Sequence, residues 1–183
     1  MRPKSEGLIQ IYTGNGKGKT TAALGMAVRA AAQGIKVAIV YFDKGGSHYS
    51  ERKILSERFG GEIDFWATGL DRIDPVTKRF RFGVTQEDRA EAGRGLGIVR
   101  EIFRKGEQGL VILDEINTTV SLGMLDEADA LDVISAKPEK VELVLTGRNA
   151  PDSFRNLAQL VTEMNLAEHY FYHGVPAREG FDY

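Results

Sequence analysis

The residues best suited to chemistry lie near the start of the chain, in a glycine-rich segment with two lysines and three threonines. The segment reads Thr13, Gly14, Asn15, Gly16, Lys17, Gly18, Lys19, Thr20 and Thr21. A glycine-rich turn between a strand and a helix lets backbone N–H groups point at phosphate oxygens, and the helix adds the positive end of its dipole. In such a segment Lys19 would contact phosphate and the Thr20 hydroxyl would ligate Mg²⁺. The pattern therefore predicts that Gly14–Thr21 bind the phosphates of a nucleotide together with Mg²⁺.

The spacing of this segment differs from the usual phosphate-loop pattern G-x-x-x-x-G-K-[ST] at one position. That pattern places a glycine at position 13, where this chain has Thr13, and the glycine follows as Gly14. A flexible turn that binds nothing is the alternative, but strand, glycine-rich turn, Gly-Lys-Thr and helix are all predicted in the required order. Lys17 has two roles open to it, a phosphate contact or a solvated surface charge.

A second candidate is the acidic pair Asp114 and Glu115, which directly follows the apolar run Leu110–Leu113. A carboxylate at the end of a buried strand can hold Mg²⁺ directly or through water, opposite a phosphate loop. A strand that meets solvent at an acidic turn is the alternative, and the upstream phosphate loop favours the metal role. The spacing leaves open which carboxylate touches the metal. Thr20, Asp114 and Glu115 are thus the predicted metal ligands, and Lys19, Thr20 and Glu115 the predicted catalytic residues.

Two basic residues follow other predicted strands. Arg148 comes just after Val141–Leu145, and a guanidinium matches the geometry of phosphate. Lys44 comes just after Lys36–Phe42 and is a similar candidate. An exposed structural role is the alternative for each. The histidines do not share ligand spacing with carboxylates or thiols, and we predict that they are surface or packing residues. They are His48, His169 and His173.

These candidates need an architecture that brings several strand ends together, and the alternation of short apolar runs with amphipathic ones predicts it. Strands are predicted at Leu8–Tyr12, Lys36–Phe42, Ile63–Trp66, Leu110–Leu113, Val141–Leu145 and near His169–Tyr172. Helices are predicted at Thr20–Gln33, Glu51–Phe59, Gln86–Lys105, Leu125–Ile134 and Pro151–Leu160. This alternation indicates an α/β fold, a three-layer P-loop NTPase-like (RecA-like) domain with a mostly parallel central sheet. Ligands of such sheets bind beyond the carboxyl ends of the strands.

Length and composition limit the classes of protein to which this chain can belong. A chain of 183 residues is expected to form a single nucleotide-binding domain over residues 1–183. Its formal net charge of -2 does not favour a nucleic acid as partner. The lack of cysteine excludes disulfides and thiolate metal sites and fits a reducing cytoplasm. The apolar runs are too short to span a bilayer. We therefore expect a cytoplasmic protein with neither nucleic acid nor membrane as partner.

Together these motifs resemble those of the ATP:corrinoid adenosyltransferases of cobalamin biosynthesis and salvage. The similar segments are Thr13–Thr21, Phe42–Gly45, Ala67–Gly69, Thr85–Gln86, Leu113–Glu115, Leu145–Arg148 and His173–Tyr183. They are distributed along nearly the whole chain and include the displaced glycine. The resemblance implies that Co(I) of a corrinoid attacks the 5′ carbon of ATP and that triphosphate leaves. It also implies that the protein supplies no nucleophile of its own, and it is compatible with a flavoprotein reductant and a homodimer.

One segment departs from the family pattern. A Phe-x-Trp pair usually precedes the threonine–glutamine pair of this family, and here the longer segment Leu70–Val84 stands in that place. Its aromatic residues are Phe80 and Phe82. The aromatics of the family are thought to cover the lower face of the corrinoid, so Phe80 and Phe82 are the candidate corrinoid contacts. A solvated surface insert is the alternative interpretation of this segment.

Two other functions are compatible with a phosphate loop. A P-loop ATPase or small-molecule kinase would release ADP, whereas adenosyl transfer releases triphosphate. A nucleotide-binding regulatory module would bind ATP without turnover. The products formed from ATP therefore separate the three hypotheses.

Overall fold

A six-stranded sheet organises the part of the chain that the computed structural model describes, which is residues 6–72, 76 and 81–183. The strands are β1 (Ile9–Thr13), β2 (Val37–Tyr41), β3 (Ile63–Ala67), β4 (Leu110–Asp114), β5 (Glu142–Thr146) and β6 (Leu160–Glu163). Their order in the sheet is β3-β2-β4-β5-β1-β6, and every neighbouring pair is parallel. The carboxyl ends of all six strands therefore meet at one edge, as the α/β prediction requires.

Helices cover both faces of this sheet. They are α1 (Lys19–Ala31), α2 (Ser50–Arg58), α3 (Gln86–Lys105), α4 (Ile116–Ser121), α5 (Glu127–Ser135) and α6 (Asp152–Leu157), and a 3-10 turn follows at Tyr170–His173. Ala23 and Ala27 of α1 pack on one face, and Leu96 and Val99 of α3 pack on the other. Within the described residues, no helix has the length and apolar character needed to cross a membrane.

The longest helix, α3, has the bounds that the sequence predicts, although it contains three glycines. It begins at a capping box, in which Thr85 Oγ1 accepts from the Asp88 N–H and Asp88 Oδ2 accepts from the Thr85 N–H at 2.8 Å. It ends at Gly106, whose φ of 66° suits glycine. Gly95 has a packing reason, because a Cβ there would lie 2.6 Å from the ring of Phe42.

The prediction of a last strand near His169–Tyr172 is wrong, because Tyr170–His173 forms a 3-10 turn. The last strand is instead β6, at Leu160–Glu163, where the sequence predicts the end of a helix. All four residues of β6 are exposed, since β6 pairs only with β1 in the described sheet. An exposed edge strand lacks the apolar run that identifies a buried one. The short helix α4 is also absent from the predicted elements.

Candidate active site

A cleft of about 1340 Å³ opens at the carboxyl ends of the strands. Sequence-predicted residues from four strand ends line it together: the loop after β1, Lys44 after β2, Glu115 after β4 and Arg148 after β5. The contributing loop residues are Asn15, Gly16, Lys17, Gly18, Lys19, Thr20 and Thr21. The topology thus places predicted phosphate-binding residues and one of the two predicted acidic residues, Glu115, around a single space.

The conformation of the loop explains its displaced glycine. Thr13 is the buried last residue of β1, and its Oγ1 accepts from the Ala150 N–H at 3.2 Å. The turn therefore begins one residue later, at Gly14, whose φ is 94°. A Cβ at Gly14 or Gly16 would lie 2.5 or 2.6 Å from the carbonyl oxygen of Met164, which also accepts from the Gly16 N–H. The segment after β6 thus leaves no room for side chains at these positions.

Lys19 reaches back across this loop. Its Nζ donates to the carbonyl oxygens of Gly14, at 2.8 Å, and Gly16, at 2.7 Å. The residue is 7% exposed, and burial lowers the pKa of its ammonium, while the charge of Glu115 opposes that shift. The two hydrogen bonds use two of the three N–H donors of an ammonium. Lys19 is therefore held inside the loop, where it can meet a bound anion.

Asp114 is the centre of a buried polar network. Its Oδ1 accepts from Thr146 Oγ1 at 2.6 Å, and its Oδ2 accepts from Lys44 Nζ at 2.5 Å and from Thr20 Oγ1 at 3.2 Å. Lys44 Nζ also donates to Thr20 Oγ1 at 2.9 Å. Burial acts to lower the pKa of Lys44, but the charges of Asp114 and Glu115 outweigh burial and raise it. The network joins the ends of β2, β4 and β5 to the start of α1.

Glu115 differs from its neighbour because it lines the cleft. Its φ of 63° lies in the left-handed region, which non-glycine residues seldom adopt. Its N–H donates to Thr146 Oγ1 at 2.9 Å, and its Oε2 accepts from Thr118 Oγ1 at 2.5 Å. Its Oε1 lies 4.0 Å from Lys44 Nζ. The unusual backbone conformation turns the chain out of the strand and into α4 at the point where the carboxylate meets the cleft.

The residues predicted to hold a metal have a donor set that suits Mg²⁺. Thr20, Asp114 and Glu115 offer hydroxyl and carboxylate oxygens, which Mg²⁺ prefers. A cation already bridges two of them, because the ammonium of Lys44 contacts both Thr20 Oγ1 and Asp114 Oδ2. These oxygens could therefore hold a divalent cation if Lys44 gave up one of its contacts.

His169 lines the cleft, and each of the three histidines contacts residues other than the predicted metal ligands. His48 stacks on Tyr49 with ring centroids 4.4 Å apart. His169 Nδ1 accepts from the Phe171 N–H at 3.0 Å, and His173 Nε2 lies 3.4 Å from an oxygen of Glu168. Among the described residues, no cluster of three or more histidine, aspartate or glutamate side chains could hold a metal ion.

Lys17 and Arg148 both line the cleft, and they contact different parts of the chain. The Arg148 N–H donates to Thr118 Oγ1 at 2.9 Å, which fixes the backbone from which its exposed side chain extends. Lys17 contacts the end of the chain: its Nζ donates to the Phe181 carbonyl oxygen at 2.5 Å and forms an ion pair with Asp182. The residues after 169 are thus a wall of the site that motif reasoning missed, although the tail resembled that of the family.

Arg52 is a second residue that the sequence did not indicate. Its guanidinium donates to the carbonyl oxygens of Gly46, at 2.7 Å, and of Lys44. It also lies over the rings of Tyr41 and Tyr49, at 4.8 and 4.5 Å from their centroids. Arg52 thereby fixes the turn that carries Lys44. An arginine on a polar helix such as α2 gives no sign of this role in the sequence.

The candidate corrinoid contacts belong to the segment between β3 and α3. Phe80 lies outside the described residues, and Phe82 is described and 85% exposed. Arg72 is buried, and its guanidinium contacts Asp43 Oδ1 at 2.7 Å and the carbonyl oxygen of Gly83 at 2.9 Å. The Arg81 N–H donates to the carbonyl oxygen of Arg72 at 2.7 Å. These bonds bring the two ends of the segment together.

Comparisons with known proteins agree with this geometry. A family model described as ATP:corrinoid adenosyltransferase BtuR/CobO/CobP matches residues 5–183. The corrinoid adenosyltransferase of Sinorhizobium sp is 35% identical over 179 residues, which is 97% of this chain and 81% of that protein. The corrinoid adenosyltransferase of Pseudomonas aeruginosa is 33% identical over 177 residues, which is 97% of this chain and 84% of that protein.

A solved structure supports the fold assignment. The KaiC-like protein of Pyrococcus horikoshii OT3 superposes with a TM-score of 0.56 at 19% identity, over 90% of this chain and 75% of that one. At this identity the similarity concerns the fold alone. The α/β, P-loop NTPase-like class predicted from the sequence is confirmed.

Proposed function

Because the chain belongs to the ATP:corrinoid adenosyltransferase family, we infer that it transfers the 5′-deoxyadenosyl group of ATP to the Co(I) centre of a corrinoid and releases triphosphate. The observation that carries this inference is the family match, which extends from residue 5 to residue 183. The reaction belongs to adenosylcobalamin biosynthesis. A separate reductant such as a flavoprotein would form Co(I), and the chain would act in the cytoplasm.

In this reaction the nucleophile belongs to the substrate, so the protein has to position ATP and stabilise charge on the leaving triphosphate. Lys19 and the loop amides are the groups we propose for that charge. Lys19 is suited to the role because its ammonium is buried within the loop. Arg148 also lines the cleft, near enough for its charge to act on Lys19, and would contact the same phosphates.

We propose that Thr20, Asp114 and Glu115 hold Mg²⁺ when ATP is bound. Their oxygen donors and the cation that already bridges Thr20 and Asp114 support this role. When bound, Mg²⁺ would neutralise part of the charge on the departing triphosphate. Lys44 would then remain near Glu115 and keep the acidic pair compensated.

The test is a product analysis with ATP, Mg²⁺ and chemically reduced cobalamin. Adenosylcobalamin and triphosphate in equal amounts are the expected products. ADP and phosphate, formed whether or not the corrinoid is present, would instead favour an ATPase or kinase. ATP binding without any product would favour a regulatory module.

A further inference from the structure

The end of the chain forms a compact polar cluster against the phosphate loop. Its centre is the carboxylate of Asp182, whose side chain is 12% exposed. Asp182 Oδ1 accepts from Lys17 Nζ and from the Tyr170 hydroxyl. Its Oδ2 accepts from the Arg178 N–H at 2.9 Å. One carboxylate thus joins the loop, the 3-10 turn and the last residues of the chain. We call Tyr170–His173 together with residues 177–183 the tail wall.

The contacts of Lys17 indicate that it supports this wall. An ammonium has three N–H donors. Those of Lys17 are taken by the Tyr170 hydroxyl at 3.2 Å, the Phe181 carbonyl oxygen at 2.5 Å and Asp182. Its charge is compensated by that of Asp182. In this arrangement the lysine serves as the attachment point of the tail wall on the loop, whereas Lys19 stays inside the loop.

The tail wall presents aromatic rings to the cleft. Phe171, Tyr172 and Phe181 line the cleft and are exposed. Arg178 lies between the rings of Tyr170 and Phe181, 4.6 and 5.1 Å from their centroids, which keeps both rings in place. Exposed rings beside a phosphate site suit a flat aromatic ligand, because nucleobases stack on such side chains.

We propose that Asp182 is a positioning residue that holds the tail wall against the phosphate loop. In this position the wall contacts the adenosine part of ATP. This proposal rests on the proposed function. Adenosine is covalently joined to the triphosphate. It must therefore lie beside the loop in the same cleft, and the tail wall borders the loop there. A corrinoid is not tied to the loop in this way and can approach the 5′ carbon from the open side.

The proposal is tested with Asp182→Asn, which removes the charge but keeps the size of the side chain. We expect the Kd of ATP, measured by calorimetry, to rise about tenfold, while the Kd of inorganic triphosphate changes by less than about twofold. In steady state the KM for ATP should rise with little change in kcat. Asp182→Glu should restore part of the affinity. Asp129→Asn is the matched control, because it makes the same change at an exposed position of α5 that does not line the cleft.

A double-mutant cycle with Lys17→Met tests the attachment itself. If Asp182 acts through Lys17, Asp182→Asn should weaken ATP much less in the Lys17→Met background than in the wild type. Limited proteolysis should cut the tail faster in either variant.

Three results would overturn the proposal. Tighter binding of triphosphate by Asp182→Asn would mean that the tail competes with phosphate for Lys17. Equal losses for ATP and triphosphate would mean that Asp182 shapes the loop. A change confined to the KM of the corrinoid would mean that the tail wall contacts the corrinoid and not the adenosine of ATP. Failure of the wild-type protein to form triphosphate would instead refute the proposed function.

Discussion

Lys44 Nζ lies 2.5 Å from Asp114 Oδ2, and the two side chains are only 13% and 1% exposed. The turn that carries Lys44 is itself fixed by the guanidinium of Arg52. The two carboxylates at the end of β4 therefore have different environments. Asp114 belongs to the buried framework of the sheet edge, whereas Glu115 lines the cleft. Substitution of each should consequently have a different effect.

Asp114→Asn should lower stability as well as activity. The substitution leaves the buried ammonium of Lys44 without its carboxylate, and removing one partner of a buried pair costs about 3–5 kcal/mol. The amide also cannot accept through both of its polar atoms, although Thr146 and Thr20 both donate to Asp114. Chemical denaturation of the variant and the wild type measures this loss. A variant with unchanged unfolding free energy would show that Lys44 does not depend on Asp114.

Glu115→Gln should leave the fold intact and weaken the response to Mg²⁺. Glu115 is partly exposed, so its charge contributes less to the framework than that of Asp114. We expect the Mg²⁺ concentration for half-maximal activity to rise about tenfold, which corresponds to ~1.4 kcal/mol. Asp129→Asn, on the exposed side of α5, is the control. If the Mg²⁺ titration of the variant were unchanged, Glu115 would not be a ligand of the metal.

Lys19→Ala should cost most of the ATP affinity. A hydrogen bond to a charged partner contributes about 1.5–3 kcal/mol, so the Kd of ATP should rise by roughly one to two orders of magnitude. Calorimetry on the folded variant measures this change, and Lys36→Ala, at an exposed lysine, is the control. ATP binding of wild-type strength in folded Lys19→Ala would refute the assignment of the phosphate loop.

Local patterns determined how far the sequence could predict the structure. The bounds of α3 follow from the capping signal at Thr85 and from Gly106, and each of these residues directly adjoins the helix in sequence. The edge strand β6 could not be recognised, because all of its residues are exposed. The contact of Lys17 with Asp182 joins residues 165 positions apart, and such pairing leaves no periodicity in either segment. Residue types in the sequence thus indicated candidate side chains for the site, whereas the contacts between those side chains could be seen only in the fold.

Asp88, the acidic member of the capping box of α3, should make the free energy of unfolding depend on pH. The guanidinium of Arg81 and the Thr85 N–H hold the pKa of Asp88 below its usual range, against the opposing effect of burial. Because the folded pKa is the lower one, Asp88 stabilises the fold above its unfolded pKa of about 4, and this stability is lost as the pH falls through the folded pKa.

The comparison of wild type with Asp88→Asn measures this dependence. We expect the variant to be less stable at pH 7 by about 1–3 kcal/mol, since it loses a charged cap and hydrogen bonds. The difference should shrink steadily below about pH 4. Glu101→Gln, which breaks the exposed pair with Arg104 on the same helix, should change stability much less. A difference that is independent of pH would show that the charge of Asp88 does not contribute.

The last prediction concerns the segment between β3 and α3, whose ends are joined by Arg72. Phe82 stands next to this junction and is largely exposed, so it is placed to meet a large substrate. We predict that Phe80 and Phe82 replace the aromatic pair of the family and displace the lower axial ligand of the corrinoid, which eases reduction of Co(II).

Replacing both phenylalanines by alanine should therefore have different effects on adenosylation that starts from Co(II) and adenosylation that starts from Co(I). ATP binding should survive, because Phe82 is not among the residues that line the nucleotide cleft. Adenosylation that starts from Co(II) should fall more than about tenfold, or over ~1.4 kcal/mol of barrier. With cobalt already reduced to Co(I), the defect should be smaller, since the axial ligand no longer opposes reduction. Val28→Ala, at an exposed apolar residue of α1, is the control. Wild-type rates from both states would remove this segment from the mechanism, and equal losses from both would assign it to corrinoid binding alone.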